Sequence, residues 1–171
     1  MTHDGKYFQC SDITVEPKPV RQGKIPIWIG GRAEGSLRRA AANGDGWMPS
    51  TVTATGLITQ SDYRALWSKL REYITVEGRD MASITGAVYL FASIGASYEE
   101  ARGVLAPGME AIFRAPFENF EPVCLMGTPD QWVEQIGRYA DVGVTHVNVL
   151  LYTRDLIGDV QRIGQEVVPR L

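Results

Sequence analysis

The sequence is poor in the residues that announce several function classes. It has two cysteines and two histidines in 171 residues. Cys10 and Cys124 stand far apart without a C-x-x-C spacing, which argues against a disulfide framework or a zinc site and suits a reducing, cytoplasmic setting. His3 and His146 are too few and too separated to assemble a metal cluster or a hydrolytic triad. No apolar run approaches the roughly 18 residues of a membrane span; the stretch from Ala87 to Ala92 is strand-sized. The opening MTHDGKYF has neither the basic start nor the apolar core of a signal peptide. A net charge of -3 gives no electrostatic reason to expect nucleic acid or an anionic membrane as partner. Internal repeats and low-complexity tracts are also absent.

What is present reads as an ordinary globular chain, 44% hydrophobic and 22% charged, long enough for one domain with a sizeable core. Its most informative stretch runs from Lys24 to Ser50, KIPIWIGGRAEGSLRRAAANGDGWMPS. Ile25 to Ile29 has the apolar character of a parallel strand buried on both faces. Gly30-Gly31 ends it, and Ala33 to Asn43 follows a helical pattern with Leu37, Ala40 and Ala41 inward. Gly44 is placed to close that helix in a left-handed conformation, and Trp47 and Met48 start the next strand. Two glycines after a strand let backbone approach a ligand, and the first amides of the next helix can face an anion such as phosphate. A simple tight turn would use the same pair. The Rossmann fingerprint fails because Trp28 stands where its first glycine belongs, and no Gly-Lys-Ser/Thr follows to make a Walker loop.

Residues 1–24, with Pro17 and Pro19, read as an extended leader or hairpin, and 25–171 as the domain proper. Thr51 to Gln60 reads as a loop with neither helix nor core signal. Tyr63, Leu66, Trp67, Leu70 and Ile74 form a helical stripe ended by Gly78. Ile84 to Ile94 is the third strand. Ser97 to Glu100 has capping-box spacing, predicting a helix from Tyr98 that stops before Pro107. Gly108 to Met126 is poorly patterned, with Phe113, Phe117 and Phe120 on a short helix that Pro116 and Pro122 interrupt. Thr128-Pro129-Asp130-Gln131 starts a helix burying Trp132, Val133, Ile136 and Ala140, and Gly143 ends it. In Thr145 to Leu151, Val147, Val149 and Leu151 alternate with His146, Asn148 and Leu150. Leu156 to Val168 is a final helix. Strand and helix alternate four times, which argues for a parallel α/β sheet with right-handed crossovers. Half of a TIM barrel and a small open doubly wound sheet both fit, and length alone favours the open sheet.

IPIWIGG, LRRAAANGDGW, the GRD at Gly78 to Asp80, GTPDQW at Gly127 and YADVGVTHV at Tyr139, in this order, resemble the C-terminal half of the luciferase-like monooxygenases. The likeness runs from about Gly5 to Leu171. It implies the C-terminal half of a TIM (β/α)8 barrel, about four parallel strands with flanking helices, and FMN or coenzyme F420 as cofactor. A complete barrel takes about 250 residues, so either the coding region is truncated, or the partner is a separate chain supplying the completing N-terminal half-barrel, or two half-barrels pair as a homodimer.

In either architecture ligands bind at the C-terminal strand ends. That rule selects Gly30, Gly31 and Arg32, then Pro49, Ser50 and Thr51, then Ser93 to Gly95, then Tyr152 and Thr153. The resemblance implies that the glycine pair lies against the flavin or deazaflavin near its phosphate-bearing chain, and that Ser50 and Thr51 face cofactor or substrate. Arg32 is a separate expectation as phosphate partner, although a solvated arginine fits equally. Asp45 precedes its strand, at the end away from ligands, and is expected in a turn. His146 is expected as a hydrogen-bonded core histidine. No catalytic residue and no metal site can be assigned. The expected function is the cofactor-binding half of a flavin- or F420-dependent oxidoreductase acting on a small molecule. The alternatives are a non-catalytic half-barrel serving as a structural or interaction module and an open-sheet phosphate binder of flavodoxin type.

Overall fold

The computed structural model describes residues 1–20, 25–53 and 55–171. Lys24, where the strand-glycine-helix stretch was expected to begin, the last residues of the expected leader, and Ala54 lie outside that set.

A short antiparallel pair, β1 His3–Asp4 and β2 Gln9–Cys10, opens the chain. Strand β3 Trp28–Ile29, helix α1 Glu34–Asn43 and strand β4 Gly46–Trp47 follow, then a small hairpin of β5 Val52–Thr53 and β6 Gly56–Leu57. Helix α2 Gln60–Val76 leads to the long strand β7 Thr85–Ile94 and helix α3 Tyr98–Phe113. Strand β8 Leu125–Gly127, helix α4 Pro129–Ala140, strand β9 His146–Leu151 and helix α5 Leu156–Arg162 complete the order. Strands β3, β4, β7, β8 and β9 form one parallel sheet. Laterally it runs β3, β4, β7, β9, and β8 joins β7 at Ala92 to Ile94.

Helices cover one face. Leu37, Ala40 and Ala41 of α1, Tyr63, Leu70 and Ile74 of α2, and Trp132 and Tyr139 of α4 pack on Trp47, Val88, Leu90, Ala92 and Ile94. Val147, Val149 and Leu151 of β9 turn to the same core. By alternation, His146, Asn148 and Leu150 turn the other way, and all three are exposed. That second face is covered only near the C-terminal strand ends, where α3 places Leu105 and Met109 on Phe91, Val52 and Met126. A doubly wound sheet would carry helices along both faces, so the half-barrel arrangement is the one found.

Several local expectations are corrected. The sheet has five parallel strands rather than four, because the three-residue β8 is too short to carry a periodic signal. β3 is an edge strand with two ladder residues, and Ile25 and Ile27 are 69% and 50% exposed rather than buried on both faces. Gly44 is extended, at φ -83 and ψ 149. The end of α1 is closed instead by Arg79, whose guanidinium donates to the carbonyls of Ala41 at 2.6 Å and Gly44 at 2.8 Å. The segment expected as a plain loop holds the β5–β6 hairpin, and Thr51, Val52 and Ile58 are buried in it. Helix α3 continues through Pro107 to Phe113, because burial of Leu105, Ala106 and Met109 outweighs the lost hydrogen bond. Ser97 caps α3 as expected, but the Glu100 carboxylate accepts from the amide of Ala96, one residue earlier than a capping box requires.

Candidate functional site

The sheet brings Gly30–Arg32, Pro49–Thr51, Ser93–Gly95 and Tyr152–Thr153 to its C-terminal ends. The turn after β3 has a backbone reason for glycine. Gly31 sits at φ +94, where L side chains rarely fit, and an added Cβ would stand 2.8 Å from Ser36 Oγ. At Gly30 a Cβ would lie 3.3 Å from the Met48 carbonyl oxygen. The Gly31 carbonyl accepts from Trp47 Nε1 at 2.9 Å, which ties the turn to the neighbouring strand. Gly30 is exposed, and Gly31 and Arg32 are half-buried.

Helix α1 starts directly behind this turn from Ala33, which offers no side-chain cap. Helices α2, α3, α4 and α5 are capped by Thr59, Ser97, Thr128 and Asp155. An uncapped first turn leaves amide donors at a site that already favours negative charge. Glu34, in that turn, is drawn away by Arg38 and Tyr73, whose hydrogen bonds hold its carboxyl below the usual range.

Arg32 reaches sideways and donates from Nη1 to the Leu57 carbonyl at 2.9 Å, holding the β5–β6 hairpin against the glycine turn. The two residues after Pro49 divide their work. Ser50 is half-buried and its hydroxyl donates to the Val52 carbonyl at 2.8 Å. Thr51 is fully buried, and its hydroxyl donates to the carbonyls of Val123 at 3.1 Å and Tyr89 at 3.4 Å. Its side chain is therefore a brace between β4, β7 and the 121–123 turn. Ser93 is buried, with its Oγ lacking a protein partner.

The far rim is built by α3 and the turns after it. Arg102 pairs with Glu121 at 2.9 Å and Glu118 at 2.6 Å, and Tyr98 OH donates to Glu121 at 2.8 Å. Burial, helped by that carboxylate, pushes the Tyr98 phenol up to about 12. Tyr152, after β9, packs its ring on Gly108 and beside Phe91, and burial raises its phenol too. Between the ends of β7 and β9 lies a cleft of about 160 Å³, with Gly95, Arg154 and Arg162 among its walls. A larger cavity of about 610 Å³ sits between α2 and α4 on the helical outside, so size does not select the site.

Asp45 has the structural role expected of it: its Oδ2 accepts from the Ile27 amide at 2.8 Å at the opposite end of the sheet. His146 is not in the core. It is exposed on the open face, edge-on to Trp28 with ring centroids 4.9 Å apart, because that face has no covering layer at this height. Sequence reasoning missed the clamp between Arg32 and the hairpin and the Tyr98–Arg102–Glu121 rim. The spacing of Tyr98 and Arg102, four apart on one helix, was the available signal for the second. Among the described residues no group of histidine, cysteine and carboxylate side chains suits a metal ion, and no helix is long and apolar enough to cross a membrane.

The family model for luciferase-like monooxygenases matches residues 1–146. An F420-dependent glucose-6-phosphate dehydrogenase of Microbacterium testaceum is 24% identical over 191 residues, covering 100% of this chain and 55% of the relative. The coenzyme F420-dependent tetrahydromethanopterin reductase of Methanopyrus kandleri superimposes with a TM-score of 0.79 at 20% identity, over 98% of this chain and 57% of that one. A riboflavin lyase solved with modified FMN and riboflavin gives a TM-score of 0.69 at 14% identity, over 99% and 47%. The chain thus spans about half the length of the relatives it matches.

Proposed function

Since the chain belongs to the luciferase-like monooxygenase family, we propose that it is the cofactor-binding half of an F420- or FMN-dependent oxidoreductase acting on a small-molecule substrate. The observation that carries the reading is the turn after β3: a glycine at φ +94, a second glycine exposed beside it, and an uncapped helix start behind both. An added Cβ would meet Ser36 Oγ at Gly31 and the Met48 carbonyl at Gly30, so glycine at both positions packs the turn tightly on α1 and β4 and leaves backbone, rather than side chains, to meet a flat ring or its phosphate-bearing chain. The residues present therefore fit such a cofactor.

In this reading Gly30 and Gly31 give the cofactor close backbone approach, and the first amides of α1 face its phosphate. Arg32 holds the hairpin that walls the turn and adds positive charge beside it. Ser50, whose hydroxyl lies at the end of β4, turns from the Val52 carbonyl to the ligand. Thr51 acts from behind by fixing the strand on which Ser50 stands. Bound F420 or FMN would supply hydride-transfer chemistry, with the protein orienting the ring and excluding water. A small-molecule substrate would bind at the same strand ends, and the free thiols suit a cytoplasmic protein. The relatives are about twice as long, so activity requires the barrel to be completed, by a second copy or by an N-terminal half-barrel.

Fluorescence titration of the chain with F420 and, separately, FMN tests this reading. Saturable binding of one of them, weakened at least about tenfold in Gly31→Ala by the strain and overlap at that position, supports it. Equal affinity in wild type and Gly31→Ala would remove the glycine turn from the site. Absence of saturable binding of either would leave the non-catalytic half-barrel as the account.

A further inference from the structure

We infer that the groove between α2 and α4 is a second binding site, taking a small polyanion that bears phosphate or several carboxylates. It lies on the outer side of the helices, and both of its walls belong to this chain. Neither the open sheet edges nor the functional reading above enters the inference.

Arg64, Trp67, Ser68 and Arg71 recur at three- and four-residue intervals and form one stripe along α2. Where a helix faces a neighbour, such a stripe is ordinarily apolar and closed. Here it stays open. A cavity of about 610 Å³ takes Arg64 and Ser68 from α2, and Arg138 and Asp141 from the end of α4. A second, of about 400 Å³, continues it past Trp67 and Arg71 to Gly143. Volumes of this order are those of small-molecule sites.

The chemistry of the lining is one-sided. Arg64 and Arg71 are exposed, and among the described residues no carboxylate pairs with either. Trp67 Nε1 lies over Gly143, where a Cβ would come within 2.7 Å of it, and among the described residues it also lacks an acceptor. Arg138 is paired at 2.7 Å with Glu134 of its own helix, an exposed pair that is readily given up. Asp141 is the one carboxylate in the lining. Guanidinium and indole N–H groups donate and cannot accept, so their acceptors are water or a ligand. A ligand with charged oxygens replaces water by charge-assisted bonds, and the planar forks of arginine suit phosphate and carboxylate alike. Arg64 and Arg71 stand two turns apart, about 10 Å along the axis. A singly charged ion therefore meets one of them, and a ligand with two or more charged groups bridges both. On a chain of net charge -3, three guanidiniums against one carboxylate reverse the local sign and favour an anion.

The test is tryptophan fluorescence of the 171-residue chain, titrated with pyrophosphate and, separately, with citrate. Salt is held at about 0.15 M, which screens attraction beyond about 8 Å. Trp67 is the reporter, its ring stacked on Trp47 at 6.1 Å and bordering the groove. Saturation by at least one of the two below about 1 mM is expected, and the tighter one distinguishes phosphate from carboxylate as the preferred group. Arg64→Gln and Arg71→Gln should each weaken it at least about tenfold, the loss of a charge-assisted contact. Asp141→Asn should tighten it about two- to fivefold. All three positions are exposed, so circular dichroism should not change. No saturation with either anion, or saturation that survives both arginine substitutions, overturns the inference. The phosphate-bearing coenzymes keep the two sites apart. Loss of FMN or F420 binding in Arg64→Gln would place the coenzyme in the groove and remove the second site. Pyrophosphate or citrate binding with no coenzyme binding sinks the functional reading and leaves the groove as a site.

Discussion

Arg79 offers a quantitative check on how the chain behind the site is held together. Its guanidinium donates to the carbonyls of Ala41 at 2.6 Å, Gly44 at 2.8 Å and Ala40 at 3.4 Å, and to Ser83 Oγ at 3.1 Å. The Ala41 and Gly44 carbonyls lie at the end of α1, where the helix dipole also favours a cation, while the Ala40 carbonyl already accepts from the Gly44 amide at 2.9 Å. Hydrogen bonds to a charged group contribute about 1.5–3 kcal/mol each, so the two short ones set a ceiling of about 3–6 kcal/mol. The guanidinium is half-buried, and water takes over part of its role when it is removed. The expected loss for Arg79→Met is therefore about 2–4 kcal/mol, with the aliphatic stem retained. Arg79→Lys should lose about half of that, because one ammonium cannot bridge carbonyls on two sides as a planar fork does. Urea unfolding followed by circular dichroism measures both, provided the slope of the transition is unchanged. A loss below about 0.5 kcal/mol for Arg79→Met would mean that Arg79 does not close α1.

Gly31→Ala should destabilise the fold by about 1–3 kcal/mol, the range for a side chain held at positive φ, read by the same unfolding assay. Thr51→Val should cost about 1–2 kcal/mol by orphaning the Val123 carbonyl while leaving coenzyme affinity within about twofold (~0.4 kcal/mol); Ser50→Ala should show the opposite pattern. Burial pushes the Cys124 thiol up to about 12, so it should resist alkylation at pH 8 in the folded protein while half-buried Cys10 reacts. The folded state keeps the Cys124 proton where the unfolded chain releases it. That contribution to stability is complete below about pH 9 and is lost as pH rises toward about 12, and burial of Tyr63 and Tyr139 acts in the same direction. A thermal melting point unchanged between pH 8 and 10.5 would contradict it.

What the sequence makes legible is what is local. Helix α4 starts at Thr128 with the reciprocal bonds its Thr-Pro-Asp-Gln spacing implies, and the alternation in 145–151 names the face that meets the helices. What it hides depends on partners distant in the chain. Arg79 replaces Gly44 as the terminator of α1 across 35 residues. Pro107 stays helical because α3 is clamped between the sheet and the 117–123 turns. Thr51 stands where a ligand-facing residue was expected, and only its bond to Val123, 72 residues away, reveals a brace. His146 was misplaced because a sequence pattern assigns a side chain to a face and is silent about whether that face is covered.

The central claim is that the mouth formed by Gly30, Gly31 and Ser50 holds a deazaflavin or flavin. Native mass spectrometry of the purified chain incubated with F420, and separately with FMN, tests it most directly. One coenzyme per chain should be retained at low micromolar concentration, with the added mass lost in Gly31→Ala. Spectra showing only bare protein with both coenzymes would contradict it.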